Sequence, residues 1–275
     1  MRFKADAIGE HRPGERLPVA ATDDEIARLG TTLNAMLVRL EAAFARERTF
    51  VADASHELRT PLAILKTELE LALRRGRTHE ELQSALRSAA EETDRLAQLA
   101  ESLLVIARAD QGALPLAVSS VNSSQLLNSV RRRFESRARL AGREIVVEDS
   151  SEHISADPHR LEQALDNLVE NALAHGAGTV RLSASASDGN VSLHVRDEGP
   201  GFPGDFIDAA FERFTRADQA RGRGGSGLGL AIVQVIARAH GGQACAGNVP
   251  DGGAEVLIEL PQRHIAPDWV RTPAA

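Results

Sequence analysis

Apolar residues recur at alternating steps of three and four from Ile26 through Leu29, Leu33, Met36 or Leu37, Leu40 and Phe44, and the rhythm continues through Phe50, Val51 and Ala54 to Leu58, Leu62, Leu65, Leu69 and Leu73. This spacing lays one apolar stripe along a helix, as in a coiled-coil seam. Thr22, with Glu25 three residues later, is a capping-box start, and Arg74-Arg75-Gly76 supplies cations and a glycine for the stop. A second run uses Leu82, Leu86, Ala89, Thr93, Leu96, Leu99 or Ala100, Leu103 and Ile106, and ends at Asp110-Gln111-Gly112. Two amphipathic helices joined by a short polar turn predict an antiparallel hairpin. One hairpin cannot cover both of its stripes, so the pattern predicts a two-fold homodimer closed as a four-helix bundle.

From Leu114 the pattern changes to alternating strand-like and helix-like segments. Helices are expected from Ser124 to Leu140, after the N-cap and proline pair Asp157-Pro158, and from Leu228 to His240. Strands are expected from Glu144 to Glu148 and from Ala254 to Leu260. Val180, Leu182 and Ala184, then Val191, Leu193 and Val195, alternate about a turn at Asp188-Gly189 and predict a hairpin. The expectation is a multidomain α and α+β chain, with an α/β layer of mostly antiparallel strands after the bundle. Gly9, Pro13, Gly14 and Pro18 make residues 1–20 a connector with weak structure of its own, and Pro267 and Pro273 mark a loose tail.

At 275 residues, 43% apolar and 26% charged, the chain has room for two or three modules. A net charge of −7 without a long basic run argues against a nucleic-acid surface, and Arg131, Arg132 and Arg133 read as a solvated helix face. The single cysteine, Cys245, lies in the apolar run Gln243 to Ala246, which reads as a strand holding a buried structural thiol in a reducing compartment. There is neither a run of ~20 apolar residues nor a charged-then-apolar leader at Met1, so the chain as written reads as soluble.

His56 is the first candidate for chemistry. At about 100° per residue it falls opposite the stripe of Leu58, Leu62 and Leu65, which exposes it. An exposed histidine alone is an ordinary polar side chain. Here Glu57 can take a proton from one ring nitrogen, Thr60 lies one turn along the same face, and Pro61 removes the bond to the Glu57 carbonyl and should loosen that turn. Three further segments suit a nucleotide. Asn167 and Asn171 share a helix face and offer hard carboxamide oxygens to Mg²⁺, while Leu161, Leu165, Leu168 and Ala172 face a core. Asp197-Glu-Gly199-Pro-Gly201-Phe202 places a carboxylate able to accept from an exocyclic amine beside glycines that let a flat base approach. Gly225-Ser-Gly227-Leu228-Gly229 enters a helix, where amides and the dipole can meet phosphates. No βαβ unit surrounds that turn and no lysine follows it, which excludes a Rossmann fingerprint and a Walker loop.

The segment from Phe50 to Leu62, with His56-Glu57 and Thr60-Pro61 at its centre, closely resembles the phosphoacceptor box of sensor histidine kinases. The asparagine, aspartate and glycine segments, in this order, resemble the Bergerat-type ATP-binding domain those kinases share with gyrase-type and heat-shock-chaperone ATPases. The resemblance covers residues 48–262. It implies Mg-ATP-dependent autophosphorylation of His56, with Glu57 as base, and transfer to an aspartate of a response regulator receiver domain. Thr60 would position the hydrolytic water when the partner is dephosphorylated. Asn171 would coordinate Mg²⁺ with Asn167 beside it, Asp197 would read adenine next to Gly199 and Gly201, and Gly225, Gly227, Leu228 and Gly229 would line the phosphates. Phe211-Glu-Arg213-Phe214 matches the family's phenylalanine box, residues 205–224 would be the lid, and Arg216, Arg221 and Arg223 would reach the phosphates.

Two positions depart from the family. Ala174 stands where a lysine or arginine commonly touches phosphate, so that either ATP affinity is reduced or His175 or a lid arginine takes its place, and Gly252-Gly253-Ala254 lacks the usual threonine. Asp23 to Phe44 resembles the second helix of the HAMP-like relay module that normally follows a transmembrane helix. The implied divisions are 1–45 relay, 46–112 dimerisation and phosphotransfer hairpin, 113–262 ATP-binding domain and 263–275 tail. The implied whole is a longer protein in the bacterial cell membrane, with this part in the cytoplasm. Two rival readings are an inactive dimeric scaffold, favoured only by Ala174, and an ATPase clamp, in which an exposed His-Glu-x-x-Thr-Pro has no purpose.

Overall fold

A computed structural model describes residues 16–19, 25–74, 78–216 and 226–262. The expected cap at Thr22, the stop at Gly76, the lid residues Arg221 and Arg223, Gly225 of the glycine turn and the tail from 263 lie outside the described residues. The chain divides into two compact units, Met1–Leu86 and Arg87–Ala275.

In the first unit, helix α1 runs unbroken for 48 residues, Glu25–Ala72, with Pro61 inside it. Its start is held by the segment before it. Asn34 accepts from the Leu17 amide at 2.8 Å and donates to the Leu17 carbonyl at 3.0 Å, while Arg16 meets both Glu41 oxygens at 2.9 and 2.7 Å. Gly30 gives room for Val19, whose Cγ2 lies 3.0 Å from where a Cβ would stand. Helix α2, His79–Asp110, opens on a reciprocal capping box, with the Thr78 amide donating to Glu81 at 3.0 Å and the Glu81 amide to Thr78 Oγ1 at 3.2 Å. It crosses from the first unit into the second and ends where Gly112 turns to φ +64, with the Gly112 and Ala113 amides closing onto Ala109 and Arg108 at 2.9 Å each. Helices α1 and α2 are the two long helices that the periodicity predicts.

The second unit is a mixed α/β layer. Strands β2 (Ile145–Val147), β4 (Val180–Ser187), β5 (Asn190–Arg196), β7 (Ala254–Pro261) and β6 (Gln243–Asn248) form a sheet in the order β2-β4-β5-β7-β6. Only β2 and β4 run parallel. The β4–β5 turn has Asp188 and Gly189 at φ 52 and 77, the left-handed pair that a tight hairpin needs. Helices α3 (Ser123–Leu140), α4 (Pro158–His175) and α5 (Gly229–Ala239) pack on the sheet. Val191, Leu193 and Val195 of β5 and Val256, Ile258 and Leu260 of β7 alternate inward against Leu161, Leu165, Leu168, Ile232 and Ile236, all buried. Each such aliphatic side chain contributes about 1.5–3 kcal/mol relative to exposure, and this core fixes the helices that carry the asparagines and the glycine turn.

Several expectations are corrected. A two-stranded antiparallel sheet of β1 (Ser119–Asn122) and β3 (His153–Ala156) was not anticipated. Cys245 is exposed and not buried, because β6 is an edge strand that turns Ala244 to the core and Cys245 away from it. Arg133 is not merely solvated. It bridges from α3 to Glu162 at 2.8 Å and to Asp166 on α4, and Arg137 reaches Glu170 at 3.3 Å, so the two helices are laced along one seam.

Candidate functional site

The inward alternation of β5 ends on Asp197, a carboxylate only 6% exposed. Such a group is costly to bury unless it accepts hydrogen bonds. Oδ1 accepts from the Gly199 amide at 2.7 Å. Backbone closes around the residue because side chains are missing. A Cβ on Gly176 would stand 2.4 Å from the Asp197 Cγ, one on Gly199 2.8 Å from Oδ1, and one on Gly253 2.0 Å from the Asp197 carbonyl oxygen. Asp197, Asn171, Leu168, Ala172, Phe202 and Val256 line one narrow cleft, with a free volume of about 10 Å³. Phe202 forms a wall held by a residue outside the expected motifs. Asn248 accepts from the Phe202 amide at 2.6 Å and donates to its carbonyl at 2.8 Å, while the ring stacks on Phe206 with centroids 5.8 Å apart. Gly201, at φ +78, brings the chain against Asn248 where no side chain would fit.

Beside this cleft, Asn167 meets the start of α5. Its Nδ2 donates to the Gln163 carbonyl at 2.8 Å, and its Oδ1 lies 3.3 Å from where a Cβ on Gly229 would be. Gly227, at φ +69, packs on the Phe214 main chain and accepts from the Phe214 amide at 2.9 Å; Phe214 is itself held at φ 60. The α5 N-terminus has no side-chain cap among the described residues, so its first amides are available to an anion. Leu228 is fully buried, so its side chain packs in the core. Arg213 of the phenylalanine box pairs with Asp110 at the end of α2. His175 and Ala174 are exposed at the end of α4, and Arg216 is exposed after Phe214. His175 and Arg216 are not among the residues that line the cleft.

Both ends of α4 are anchored. At the N-terminus, Asp157 accepts from the amides of Ala117, His159 and Arg160 at 2.8, 2.9 and 3.1 Å. Burial alone would raise its pKa, but these amides and the Arg160 charge outweigh it and hold the carboxyl below the ordinary range. The Asp157 amide donates to His240 Nε2 at 3.0 Å, and His240 Nδ1 faces the Ile236 carbonyl at 2.8 Å, so the ring is fixed with its proton on Nδ1. Along the α3 seam, burial pushes Asp166 above the ordinary carboxylate range, the Glu162 and Glu170 charges add to it, and Arg133 opposes. Neutral carboxamides at Asn171 and Asn167, one lining the cleft and the other with its donor arm already tied, fit a Mg²⁺ ion whose charge phosphates would balance.

In the first unit, His56 is exposed on α1, with Glu57 half-buried, Thr60 exposed and Pro61 buried. The helix continues through Pro61. The Ser55 hydroxyl bonds back to the Val51 carbonyl at 2.7 Å, one turn below. His56 and Thr60 share a face at the i, i+4 spacing.

Comparison with known proteins gives two family matches. Residues 46–112 match the His Kinase A (phospho-acceptor) domain, and residues 156–264 match the histidine kinase-, DNA gyrase B- and HSP90-like ATPase family. A probable sensor histidine kinase, HK, of Mycobacterium tuberculosis is 44% identical over 212 residues, 77% of this chain and 52% of that protein. Among solved structures, the histidine kinase AdeS of Acinetobacter baumannii is 26% identical with a TM-score of 0.64, over 76% of this chain and 98% of that one. Full-length ShkA, solved in complex with AMPPNP, is 33% identical with a TM-score of 0.59, over 78% of this chain and 45% of that one. The chain spans about half the length of the relatives it matches. No helix among the described residues is long and apolar enough to cross a membrane.

Proposed function

The chain belongs to the sensor histidine kinases, and from that premise we propose that it moves the γ-phosphoryl group of ATP to His56 and then to an aspartate of a response regulator. The observation that carries this reading is the presence in one chain of an exposed His56 beside half-buried Glu57 on α1 and of a cleft lined by Asp197 and Asn171. AMPPNP in ShkA supports ATP as the nucleotide.

Asp197 accepts from the exocyclic amine of adenine, and Phe202 must give way to admit the ring, since the cleft's free volume of about 10 Å³ suits one water. Gly227, Gly229 and the first α5 amides hold the phosphates, with Gly225, His175 and Arg216 as further contacts. Asn171, with Asn167 beside it, would hold Mg²⁺, which when bound neutralises phosphate charge. One ring nitrogen of His56 attacks the γ-phosphorus in line. The N–P bond forms, the bond to the bridging oxygen breaks, ADP leaves, and Glu57 takes the proton of the other ring nitrogen. The partner's aspartate then displaces the imidazole, and Thr60 orients water when the partner is dephosphorylated. Ile26, Leu29, Met36, Phe44, Val51 and Leu62, each more than half exposed, supply the apolar stripe for a homodimeric four-helix bundle. Residues 1–45 act as a HAMP-like relay, 46–112 as the phosphotransfer hairpin and 113–262 as the ATP-binding domain. ATP and receiver domains put this part of the protein in the cytoplasm of a membrane-bound sensor.

The test is incubation with γ-labelled ATP. Acid-labile, base-stable label should appear on the protein and vanish in His56→Gln. A folded, ATP-binding protein without label refutes the kinase reading, and label that survives the substitution refutes the site.

A further inference from the structure

Arg143 lies outside every motif that points to the nucleotide, directly before β2, yet its guanidinium collects the carbonyls at the far end of the asparagine helix. Nη1 donates to Ala172 at 2.7 Å and to Gly176 at 3.2 Å, Nη2 to Ala177 at 2.9 Å and Nε to Gly178 at 2.8 Å. Ala172 lies in the last turn of α4, where its carbonyl also accepts from the Gly176 amide at 2.9 Å, and the other three residues follow the helix end; a cation there meets the negative end of the helix dipole. A planar fork of five donors can serve four diverging carbonyls at once, which a lysine cannot do.

The segment gathered in this way is the wall behind Asp197. Gly176 stands so close to the Asp197 carboxylate that a methyl there would lie 2.4 Å from its Cγ, and the Ala177 nitrogen stands 2.8 Å from the Cβ position of Gly199. The Ala177 carbonyl also accepts from the Glu198 amide at 2.9 Å, and the Glu198 carboxylate accepts from the Thr179 amide at 3.0 Å. Residues 176–179 and 197–199 are therefore zipped together, and Arg143 fixes the zipper to the end of α4. On α4, Asn171 is one residue from the Ala172 carbonyl that Arg143 holds.

We propose that Arg143 is a positioning residue for base recognition, setting the distance between Asp197 and Asn171 by pinning residues 176–178. The proposal rests on the reading of Asp197 as the group that selects adenine. Arg143 touches no part of the nucleotide and acts through backbone alone.

The experiment measures calorimetric dissociation constants of ADP and GDP for the full chain, for Arg143→Ala and for Arg143→Lys, with thermal unfolding of each in parallel. Arg143→Ala should weaken ADP about ten- to hundred-fold while GDP moves little, so that the ADP-to-GDP preference collapses. Arg143→Lys should recover part of that preference. A merely structural role would lower the melting temperature and leave the preference of the folded fraction unchanged. Gly176→Ala, which pushes directly on Asp197, should lose the preference in the same way and decides the matter if Arg143→Ala does not fold. Folded Arg143→Ala with an ADP-to-GDP ratio within twofold of the parent overturns the proposal, as does Gly176→Ala with the parent's ratio. A parent chain that does not prefer ADP refutes instead the reading of Asp197.

Discussion

Replacing Asp157 should be among the more damaging single changes in the second unit, because three amides from two parts of the chain converge on one carboxylate. Asp157→Ala removes the N-cap bonds to His159 and Arg160 and leaves the Ala117 amide without its acceptor. The cap is worth about 1–2 kcal/mol, and a hydrogen bond to a charged acceptor about 1.5–3 kcal/mol. Overlap between these effects puts the loss at roughly 2–4 kcal/mol. Equilibrium urea unfolding at pH 7, followed by far-ultraviolet circular dichroism, would measure it. The pH dependence gives an independent check. The folded carboxyl is held below its ordinary value, so its contribution is present above the unfolded pKa, near 3.8, and is lost as pH falls through the folded one. The stability gap between the parent and Asp157→Asn, which keeps the shape but not the charge, should therefore be widest at neutral pH and close on acidification below about pH 4. A loss under about 0.5 kcal/mol for the alanine variant, the scatter of ordinary surface changes, would refute the convergence argument. A gap that does not change with pH would refute its electrostatic part.

Arg133→Ala should destabilise the second unit by about 1–2 kcal/mol, between the values for exposed and buried pairs, because Asp166 keeps its burial and loses its cation. Burial already holds Asp166 above the ordinary carboxylate range, and the deficit should shrink on acidification as it protonates; a deficit that grows on acidification contradicts the assignment. Asn248→Ala frees both main-chain groups of Phe202 and should raise the ADP dissociation rate several-fold in stopped-flow displacement, with Asn248→Asp intermediate because it keeps the acceptor. An unchanged rate would show that Phe202 holds its place without the clamp.

The elements with strong periodicity are legible in the sequence. The stripe of α1, the Asp157-Pro158 start of α4 and the alternation of β4 and β5 each repeat a local rule over several residues. Strands β1 and β3 do not. Ser119 to Asn122 has one apolar residue and His153 to Ala156 has two, and each is a strand only because it pairs with the other across some thirty residues of chain. The exposure of Cys245 is hidden for a similar reason, since an apolar run does not show whether its strand lies at an edge. Within the site, Asn171, Asp197 and the glycines could be named from their spacing, whereas Arg143 and Asn248 could not. Both act on main-chain groups, and nothing in a sequence marks which carbonyl or amide a side chain will find. Arg133 read as solvated because its carboxylates lie 29 and 33 residues away on another helix.

The unbroken course of α1 through Pro61 also has a mechanical meaning. At about 1.5 Å per residue, the helix of 48 residues is a shaft roughly 72 Å long, gripped near one end by Asn34 and carrying His56 further along. With about 100° of turn per residue, Asn34 and His56 sit at nearly the same bearing around its axis, some 40° apart. A twist applied at the grip therefore arrives at His56 as a twist, with no joint in between to absorb it. Deleting one residue between the two would swing the imidazole through about 100°, whereas deleting seven would return it close to its original bearing.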